Sequence, residues 1–331
     1  MDILVTGGAG FIGSSLVERL VADGHRVGVL DNLSTGKLEN LENVIHLPEV
    51  TFLQHDIASA ALAFLDEHQR YDLVYHLAAQ TSVSASMRDP LNDATVNVLG
   101  TVNVADLAAA IGASKVVYTA SGGTLYGEVD PEALPVIESA PHQPASPYGA
   151  SKKAALDYLL TYERMGRFSV TALALANVYG PRQDPLGEAG VIGIFAHNLV
   201  HGEPCKITGD GKQTRDFVYV DDVVNALVLA GGRVAEGKTL NIGSGIETSV
   251  TDVFDELVRS TGIEATATHV PPRPGEVRRS ALAIAAASEA LGWQPTVSFE
   301  NGIARMVETI ESHHRLPTGS ISPRQAPRRG R

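Results

Sequence analysis

The sequence lacks the features of an exported or membrane-embedded protein. Its 331 residues include a single cysteine, Cys205, so no disulfide can form within the chain. No apolar run approaches the roughly 20 residues that a helix needs to cross a bilayer. Asp2 is followed at once by a short apolar run and a glycine-rich loop, which is not the pattern of a signal peptide. We therefore expect a cytoplasmic protein in which Cys205 is a structural thiol.

Basic residues and metal-ligand patterns are also scarce. There are 26 lysines and arginines against 38 acidic residues, which gives a formal net charge of −12. A nucleic-acid-binding protein normally presents a basic face, so we expect no nucleic-acid partner. The 11 histidines show no HExxH or comparable ligand spacing, and we expect no metal site.

Short apolar runs alternate with segments of helical spacing over the first half of the chain. The predicted strands are residues 3–5, 26–30, 50–53, 73–76, 115–119 and 170–175, and the predicted helices are residues 11–22, 58–68, 91–111 and 148–165. This alternation predicts an α/β fold with a Rossmann-type doubly wound parallel sheet. Ligands of such sheets bind at the edge formed by the carboxyl ends of the strands.

The pattern changes after residue 176, where the predicted elements become shorter. We expect strands near residues 206–208, 217–220 and 239–242, and helices near residues 221–230, 250–260 and 300–311. These elements predict a smaller C-terminal α/β substrate lobe over residues 177–315, with some segments returning to the sheet of residues 1–176. Residues 316–331 are rich in Pro, Ser and Arg, and we expect a disordered basic tail there.

The first predicted strand runs into a glycine-rich loop that opens the first helix. Gly7, Gly10 and Gly13 have the spacing G-x-x-G-x-x-G, and Phe11 and Ile12 begin the helix. Gly7 permits the tight turn, Gly10 lets the backbone approach a pyrophosphate, and Gly13 allows close packing of the helix on the strand. The positive end of the helix favours the anion. The loop therefore predicts a dinucleotide, with residues 1–176 as its binding domain.

Polar and small residues that follow the next strands fit the rest of a dinucleotide. Asp31 ends the second strand, where its carboxylate can accept both ribose hydroxyls of an adenosine and would repel a 2′-phosphate, so NAD is favoured over NADP. A turn formed by Asp31 and Asn32 is the alternative. Asp56 and Ile57 follow the third strand and could contact the adenine, although Asp56 could equally cap a helix. Leu77, Ala78 and Ala79 follow His76 at the end of the fourth strand, and their small side chains suggest backbone close to the cofactor.

Tyr148 and Lys152 form the one Tyr-x-x-x-Lys pattern of the chain, and they lie one helical turn apart on the same face. A phenol is a poor base at neutral pH because its ordinary pKa is about 10. A lysine ammonium beside it favours the phenolate and lowers that pKa. The pair therefore predicts a proton-transfer group, unless both residues simply lie on the surface of the helix.

Several further segments occur in a fixed order with these motifs. They are Asn97, Ser121, the run Asn177-Val178-Tyr179-Gly180-Pro181-Arg182, Arg215-Asp216-Phe217, Asp221-Asp222-Val223 and Arg273-Pro274-Gly275-Glu276. With the glycine loop and the Tyr148–Lys152 pair, they resemble the extended short-chain dehydrogenase/reductase family. Within it, they are similar to the NAD-dependent nucleotide-sugar epimerases of the UDP-glucose (UDP-galactose) 4-epimerase type. The resemblance covers about residues 1–312.

The resemblance implies an enzyme that binds NAD tightly and does not consume it. Tyr148, as phenolate, would take the proton of the sugar 4-hydroxyl while C4 gives hydride to NAD, and the transient 4-keto sugar would receive the hydride back on its other face. Lys152 would lower the pKa of Tyr148 and bind the nicotinamide ribose. Ser121 would bridge the sugar hydroxyl and Tyr148, although counting from Tyr126 instead favours Thr124. Related dehydratases and decarboxylases carry acids just before the Tyr-Gly, where this chain has Gly122, Gly123 and Thr124, so epimerisation is favoured.

The resemblance also implies a set of substrate contacts. Arg215 and Arg273 would hold the two charges of a UDP-sugar diphosphate, and Asn177 would donate to a phosphate or to the sugar. Glu276 stands where the family often has Asp for a ribose hydroxyl, and Phe217 stands where tyrosine is common. The residues predicted to contact the sugar nucleotide are Ser121, Gly122, Thr124, Tyr148, Asn177, Arg182, Arg215, Arg273 and Glu276.

The sugar itself stays open at this point. A small side chain at Ser280 would leave room for an N-acetyl group at C2, and Arg182 could reach an acidic C6 group, so UDP-N-acetylglucosamine and UDP-glucuronate are alternative substrates. A non-catalytic dinucleotide-binding regulator is a further alternative, which the presence of both Tyr148 and Lys152 disfavours. The resemblance implies a homodimer formed through the helices near residues 91–111 and 148–165.

Overall fold

A single parallel sheet forms the centre of the molecule. The computed structural model describes residues 1–59, 70–185, 190–272 and 277–315, and of residues 313–315 it describes the backbone alone. Seven parallel strands follow the order β11-β6-β5-β4-β1-β2-β3. Their bounds are β1 Asp2–Thr6, β2 Arg26–Asp31, β3 Val50–Gln54, β4 Leu73–His76, β5 Lys115–Ser121, β6 Ser169–Leu175 and β11 Lys238–Ile242. The predicted Rossmann-type fold is confirmed.

Helices cover both faces of this sheet, as the strand–helix alternation requires. They are α1 Phe11–Ala22, α2 Val83–Arg88, α3 Pro90–Ala94, α4 Gly100–Ala110, α5 Gly122–Leu125, α6 Pro147–Arg164, α7 Val191–His201, α8 Val220–Ala230, α9 Val250–Thr261, α10 Ala285–Leu291 and α11 Phe299–Arg315. The signals that start them are local. Ser146 caps α6 by accepting the Gly149 N–H, and Ser249 and Asp252 form a capping box at α9.

Two sequence predictions about helices differ from the structure or fall outside it. The single helix predicted for residues 91–111 is instead α3, a π-helical turn at Thr95–Leu99, and α4. Apolar spacing cannot distinguish these cases, because one extra residue in a turn barely changes the pattern. The helix predicted at 58–68 lies almost entirely outside the described residues, as does the predicted tail at 316–331.

The remaining strands make three small two-stranded pairs. They are β7 Asn177–Tyr179 with β10 Phe217–Tyr219, β9 Thr214–Arg215 with β12 Thr248–Ser249, and β8 Lys206–Thr208 with β13 Thr268–Val270. Between them the chain returns to the main sheet, because β11 pairs in parallel with β6. The division of the chain at residue 176 remains a prediction.

Buried apolar side chains form one cluster on each face of the sheet. One contains Leu16 and Val17 of α1 and Leu227 of α8, and the other contains Val104 of α4 and Leu156 of α6. Because the strands are covered on both faces, their side chains are apolar almost throughout. Polar residues appear where strands end, so that Thr6, Asp31, His76 and Ser121 come to one edge. Among the described helices, none is long and apolar enough to cross a bilayer.

Candidate active site

The glycine-rich loop between β1 and α1 is packed too tightly for side chains. Gly7 has φ +70°, and a Cβ there would lie 2.7 Å from the Ala78 nitrogen. A Cβ on Gly13 would lie 2.1 Å from the Gly7 carbonyl oxygen, and one on Gly10 would lie 3.2 Å from the same atom. Gly10 begins the helix without a side-chain cap. The amide groups of Phe11, Ile12 and Gly13 are therefore available to an anion at the positive helix end.

Asp31 lies beside this loop and is nearly fully buried. Its Oδ2 accepts a hydrogen bond from the Ala9 N–H (3.0 Å) and its Oδ1 accepts one from the Leu33 N–H (2.8 Å). Both backbone donors hold the carboxylate in place at the loop. Asp31 therefore forms the turn that the sequence offered as an alternative. Its carboxylate also lies beside the glycine loop, where a ribose contact is expected.

The next three predicted cofactor residues, Asn32, Asp56 and Ile57, lie in the turns that follow β2 and β3. Asn32 donates from Nδ2 to Asp56 Oδ2 (3.0 Å), and Asp56 Oδ1 accepts the Ala58 N–H (2.8 Å). Ile57 is buried, and its carbonyl accepts from Asn103 of α4 (2.8 Å). Asp56 therefore orders the turn after β3 and the Asn32 side chain. The adenine contact and the helix cap considered for Asp56 both stay predictions.

Replacing Asp31 by Asn should weaken NAD binding and relax its discrimination against NADP. The amide keeps the shape of the side chain but loses the charge that would repel a 2′-phosphate. We expect NAD to bind about tenfold or more weakly, which is at least ~1.4 kcal/mol. Binding of both dinucleotides should be measured by calorimetry, with the exposed Asp72→Asn as control. An unchanged ratio of NAD to NADP affinity would contradict this assignment.

A buried histidine ties the glycine loop to the π-helical turn. His76 contacts Thr6 Oγ1 through Nδ1 (2.7 Å) and Thr101 Oγ1 through Nε2 (2.9 Å). Thr101 gives its only hydroxyl proton to the Asn97 carbonyl (2.6 Å), so Nε2 carries the ring proton and Nδ1 accepts from Thr6. Burial lowers the pKa of His76 to about 3, with a further contribution from Lys152. The neutral ring therefore fixes the strand ends in register.

The segment that follows His76 at the end of β4 places its backbone against the glycine-rich loop. The Ala78 N–H donates to Thr6 Oγ1 (3.2 Å), and the Leu77 N–H donates to the Thr6 carbonyl (3.1 Å). Because Ala78 lies against Gly7, the segment from Leu77 to Ala79 borders the anion site as expected for a cofactor contact.

Asn97 lies in the π-helical turn and is buried. Its Oδ1 accepts the Gln80 N–H (2.8 Å), and its Nδ2 lies 3.0 Å from both the Gln80 carbonyl and Ser151 Oγ, and 3.1 Å from Asp93 Oδ1. A π-helical turn inside a helix often marks a functional site. Here it directs Asn97 towards α6, next to the helical face that carries Tyr148 and Lys152.

The structure distinguishes between the two hydroxyls considered as partners of Tyr148. Ser121 ends β5, and its side chain hydrogen-bonds the Tyr148 hydroxyl. Thr124 instead donates its hydroxyl to the Ser121 carbonyl (3.3 Å), so it supports the turn. The geometry favours Ser121 over Thr124 as the partner of the phenol.

Burial controls the titration of Tyr148 and Lys152. Tyr148 is buried, which raises its pKa to about 12 despite the opposing hydrogen bond from Ser121. The pKa of Lys152 is lowered to about 7 by burial, against the opposing effect of Asp93. The Lys152 ammonium lies 4.5 Å from the centre of the Tyr118 ring, where a cation is favoured. The sequence predicts a lowered pKa for Tyr148, whereas in this structure desolvation of the phenolate dominates.

The turn after Ser121 is tightly packed at its first glycine. A Cβ on Gly122 would lie 2.5 Å from Leu282 Cδ1 and 3.1 Å from the Ala174 carbonyl oxygen. Leu282 is held there by its N–H, which donates to Asp216 Oδ2 (3.1 Å). Gly123 is open, with Asn177 Oδ1 the nearest atom at 3.9 Å.

A cavity of about 220 Å³ lies next to this turn. It is lined by Ala176, Asn177, Val178, Tyr179, Gln183, Gly190, Ile192 and Phe217. Gly190 begins α7 without a side-chain cap, so helix N–H groups point towards the cavity. Asn177 therefore lies between the Ser121–Thr124 turn and a second helix end suited to an anion.

The structure describes Arg215 and Arg182, two of the three arginines that were predicted to contact the substrate. Arg215 lies in β9, two residues before Phe217, and its Nη1 donates to the Thr214 carbonyl (2.7 Å). Arg182 contacts two side chains of α1. Its Nη2 pairs with Glu18 Oε1 (2.6 Å) and its Nη1 donates to Ser14 Oγ (3.3 Å), both on α1. Arg273 and Glu276 lie outside the described residues, and Ser280 is half-buried.

Asp93 and Asp216 are functional candidates that the sequence predictions did not single out. Both are almost completely buried, with 1% of their surface exposed. Asp216 Oδ1 accepts hydrogen bonds from the N–H and hydroxyl of Ser244 (both 2.7 Å), and its Oδ2 accepts the Leu282 N–H, so it joins these two segments. The one sequence signal for Asp93 is its place four residues before Asn97, one helical turn away.

Comparison with known proteins gives consistent matches over the whole fold. Residues 3–243 match the model of the "NAD dependent epimerase/dehydratase family". A UDP-glucose 4-epimerase of Mycolicibacterium smegmatis is 48% identical over 93% of this chain and 98% of its own length. The crystal structure of a Thermotoga maritima UDP-glucose 4-epimerase with UDP-glucose is similar over 95% of this chain and 100% of its own, at 41% identity and a TM-score of 0.90. A Thermus thermophilus UDP-glucose 4-epimerase in complex with NAD is similar over 94% and 99%, at 39% identity and a TM-score of 0.87.

Proposed function

Because the chain belongs to the NAD dependent epimerase/dehydratase family, we propose that it is an NAD-dependent UDP-hexose 4-epimerase. This isomerase interconverts UDP-glucose and UDP-galactose through a transient 4-keto sugar. The observation that carries the proposal is the buried Tyr148, hydrogen-bonded to Ser121 and one turn from Lys152, at the sheet edge that also holds the glycine loop.

The residues at this edge fit NAD. The loop from Gly7 to Gly13 leaves a space that a single added Cβ would fill. It would hold the pyrophosphate there on the free N–H groups of Phe11 and Ile12. Asp31 would bind the adenosine ribose, and Lys152 would bind the nicotinamide ribose. When bound, NAD supplies hydride acceptance and return at the sugar C4. The residues expected to border the rest of the cofactor are Asn32, Asp56, Ile57, Leu77, Ala78, Ala79 and Asn97.

The protein's own groups handle the proton of the 4-hydroxyl. Tyr148 as phenolate accepts it, and as phenol returns it, while Ser121 orients the phenol and the sugar hydroxyl. Since burial raises the pKa of Tyr148 to about 12, the phenolate needs a cation nearby. Lys152 is the cation on the same helical face.

Epimerisation is the reaction that the turn after Ser121 permits. Elimination from a keto sugar needs an acid or base poised near the sugar, and Gly122 and Thr124 supply none. Leu282 and Ala174 occupy the volume into which a side chain at Gly122 would project. The turn therefore favours return of the hydride to the oxidised sugar over elimination.

The cavity beside Asn177 is suited to the diphosphate of the sugar nucleotide. Asn177 and the uncapped start of α7 offer donors there, and Arg215 lies on the adjoining strand. We propose that Arg273 and Glu276 complete this contact, as the family motif implies. UDP-glucuronate is not favoured, because the arginine expected to meet its C6 carboxylate, Arg182, is paired with Glu18. UDP-N-acetylglucosamine is not favoured either, since the close relatives reported above act on UDP-glucose.

The function is tested by supplying the purified protein with separate UDP-sugars and reading the C4 configuration of the products by NMR. We expect UDP-glucose and UDP-galactose to reach the same equilibrium mixture from either side. UDP-glucuronate and UDP-N-acetylglucosamine should turn over at least about tenfold more slowly in kcat/KM, a difference of ~1.4 kcal/mol. Faster turnover of either alternative, or release of a 4-keto sugar, would contradict the proposal.

We also propose that the protein is a cytoplasmic homodimer. Large apolar side chains are exposed on α3, the π-helical turn and α6, which lie in the segments predicted to form the dimer, and on the neighbouring α2. They are Met87 (63% exposed), Leu91 (77%), Leu99 (57%) and Tyr158 (48%). Such a patch is typical of an interface between subunits.

A further inference from the structure

Asp93 is a buried carboxylate that the mechanism above leaves unused. It lies in α3 with 1% of its surface exposed. One oxygen, Oδ1, accepts hydrogen bonds from Gln80 Nε2 (2.7 Å) and Asn97 Nδ2 (3.1 Å). Both donors are neutral amides, so they satisfy the oxygen without balancing its charge.

The other oxygen of Asp93 is buried and accepts no hydrogen bond from the part of the chain that the structure describes. A buried ionised carboxylate is costly unless a cation lies close to it. The charge of Asp93 therefore points to a cation nearby as its functional counterpart.

Lys152 is the buried cation on which Asp93 acts electrostatically, and it follows Ser151, which Asn97 links to Asp93. The groups that face it are the Tyr118 ring of β5 at 4.5 Å, His76 of β4, Tyr148 on its own helix and Asp93 of α3. His76 is neutral because its pKa is about 3. Burial lowers the pKa of Lys152 to about 7, and Asp93 opposes this effect by raising the lysine pKa.

We propose that Asp93 is a positioning residue of the Tyr148–Lys152 pair: its carboxylate fixes Asn97 against Ser151 of α6, next to Lys152, and places a negative charge close to the pair. The Asn97 amide joins these parts, because its Nδ2 lies 3.1 Å from Asp93 Oδ1 and 3.0 Å from Ser151 Oγ. The inference rests on the proposed function, since Tyr148 and Lys152 are the proton-handling groups of that reaction.

The sign of the electrostatic effect follows from the charge of Asp93. A negative charge raises the pKa of every group near it, and Asp93 raises those of both Lys152 and Tyr148. Removing the charge lowers each of these pKa values. The titrations of a coupled pair belong to the pair as a whole, so both limbs of a pH–activity profile should move in the same direction.

The test compares Asp93→Asn and Asp93→Ser with the wild-type protein, all carrying bound NAD. Asn keeps the shape of the side chain and Ser leaves more room, but both remove the charge. We expect both limbs of the kcat–pH profile to shift down by about one pH unit. The matched control is Asp157→Asn, which removes an exposed carboxylate of α6 that pairs with Lys153, and should leave the profile unchanged.

A second readout does not depend on turnover. The absorbance of tyrosinate, titrated with pH and corrected with the Tyr148→Phe protein, reports the ionisation of Tyr148 directly. It should shift down in the Asp93 variants even if the substrate assignment is wrong, so failure of the proposed function can be told apart from failure of this inference. Neutral variants that fold and keep the wild-type titration would overturn the proposal. If neither variant folds, Asp93 is a folding residue and the proposal is abandoned.

Discussion

Replacing Tyr148 by Phe is expected to lower kcat for epimerisation by about 10³-fold or more, because it removes the group that exchanges the proton of the sugar hydroxyl. The substitution deletes one oxygen from a buried ring and leaves the contacts of the ring in place. Its backbone N–H keeps the hydrogen bond to Ser86 Oγ (3.1 Å), so α6 should start as before. The measurement is the rate of UDP-galactose conversion, together with the bound NAD content and the melting temperature.

The control for this prediction is Tyr158→Phe, the same chemical change on the same helix, at a side chain of the proposed dimer patch. It should alter kcat less than about twofold, because it keeps the apolar ring of that patch and removes only a hydroxyl outside the active site. Substantial epimerase activity in Tyr148→Phe would refute the assigned role. Loss of activity accompanied by loss of NAD or by unfolding would mean that the tyrosine serves structure instead.

The Tyr148 phenolate is a strong base in a buried position, where desolvation disfavours its negative charge. The pKa of Tyr148 lies near 12 and that of Lys152 near 7, so desolvation disfavours the phenolate and the ammonium alike. Either charge is stable only beside an opposite one. Placed together, the phenolate and the ammonium reduce each other's desolvation cost. The negative charge of Asp93 favours the protonated form of Lys152. The proton balance of the pair is therefore shared among three residues on two helices.

Features set by neighbouring residues could be predicted from the sequence. Helix α1 spans residues 11–22 as expected, because Gly10 and the apolar spacing that follows are local signals. Helix α6 begins one residue before the expected start, since the Ser146 cap and Pro147 act within a single turn. The glycine loop also follows from its strand–loop–helix context. These signals need no knowledge of distant parts of the chain.

Features set by distant residues could not be predicted in this way. Arg182 forms an ion pair with Glu18, on a helix far away in sequence, and no local pattern predicts this contact. The burial of Asp93 and the π-helical turn depend on how α3 packs on α6. The choice between Ser121 and Thr124 needed the position of the phenol, which no count along the turn supplies.

Gly13→Ala should greatly reduce NAD binding, although alanine is normally the better helix residue. In an ordinary helix this change would stabilise the helix by about 1 kcal/mol. At Gly13, however, the added Cβ would lie 2.1 Å from the Gly7 carbonyl oxygen and 2.8 Å from Gly8 Cα. These are backbone atoms of the loop that would hold the pyrophosphate, so the loop must move away from the helix end. We expect NAD affinity to fall by about 100-fold or more, which corresponds to at least ~2.7 kcal/mol.

The matched control is Gly232→Ala, where the nearest atom to the added methyl is 3.4 Å away, an ordinary contact. Bound NAD can be released by denaturation and quantified per protein chain, and melting curves recorded with and without added NAD. The control should retain the NAD content of the wild-type protein and its stabilisation by the dinucleotide, whereas Gly13→Ala should lose both. If Gly13→Ala instead kept its NAD and melted at or above the wild-type temperature, the helix propensity would have outweighed the clash. The close approach of α1 to Gly7 would then not be what shapes the anion site.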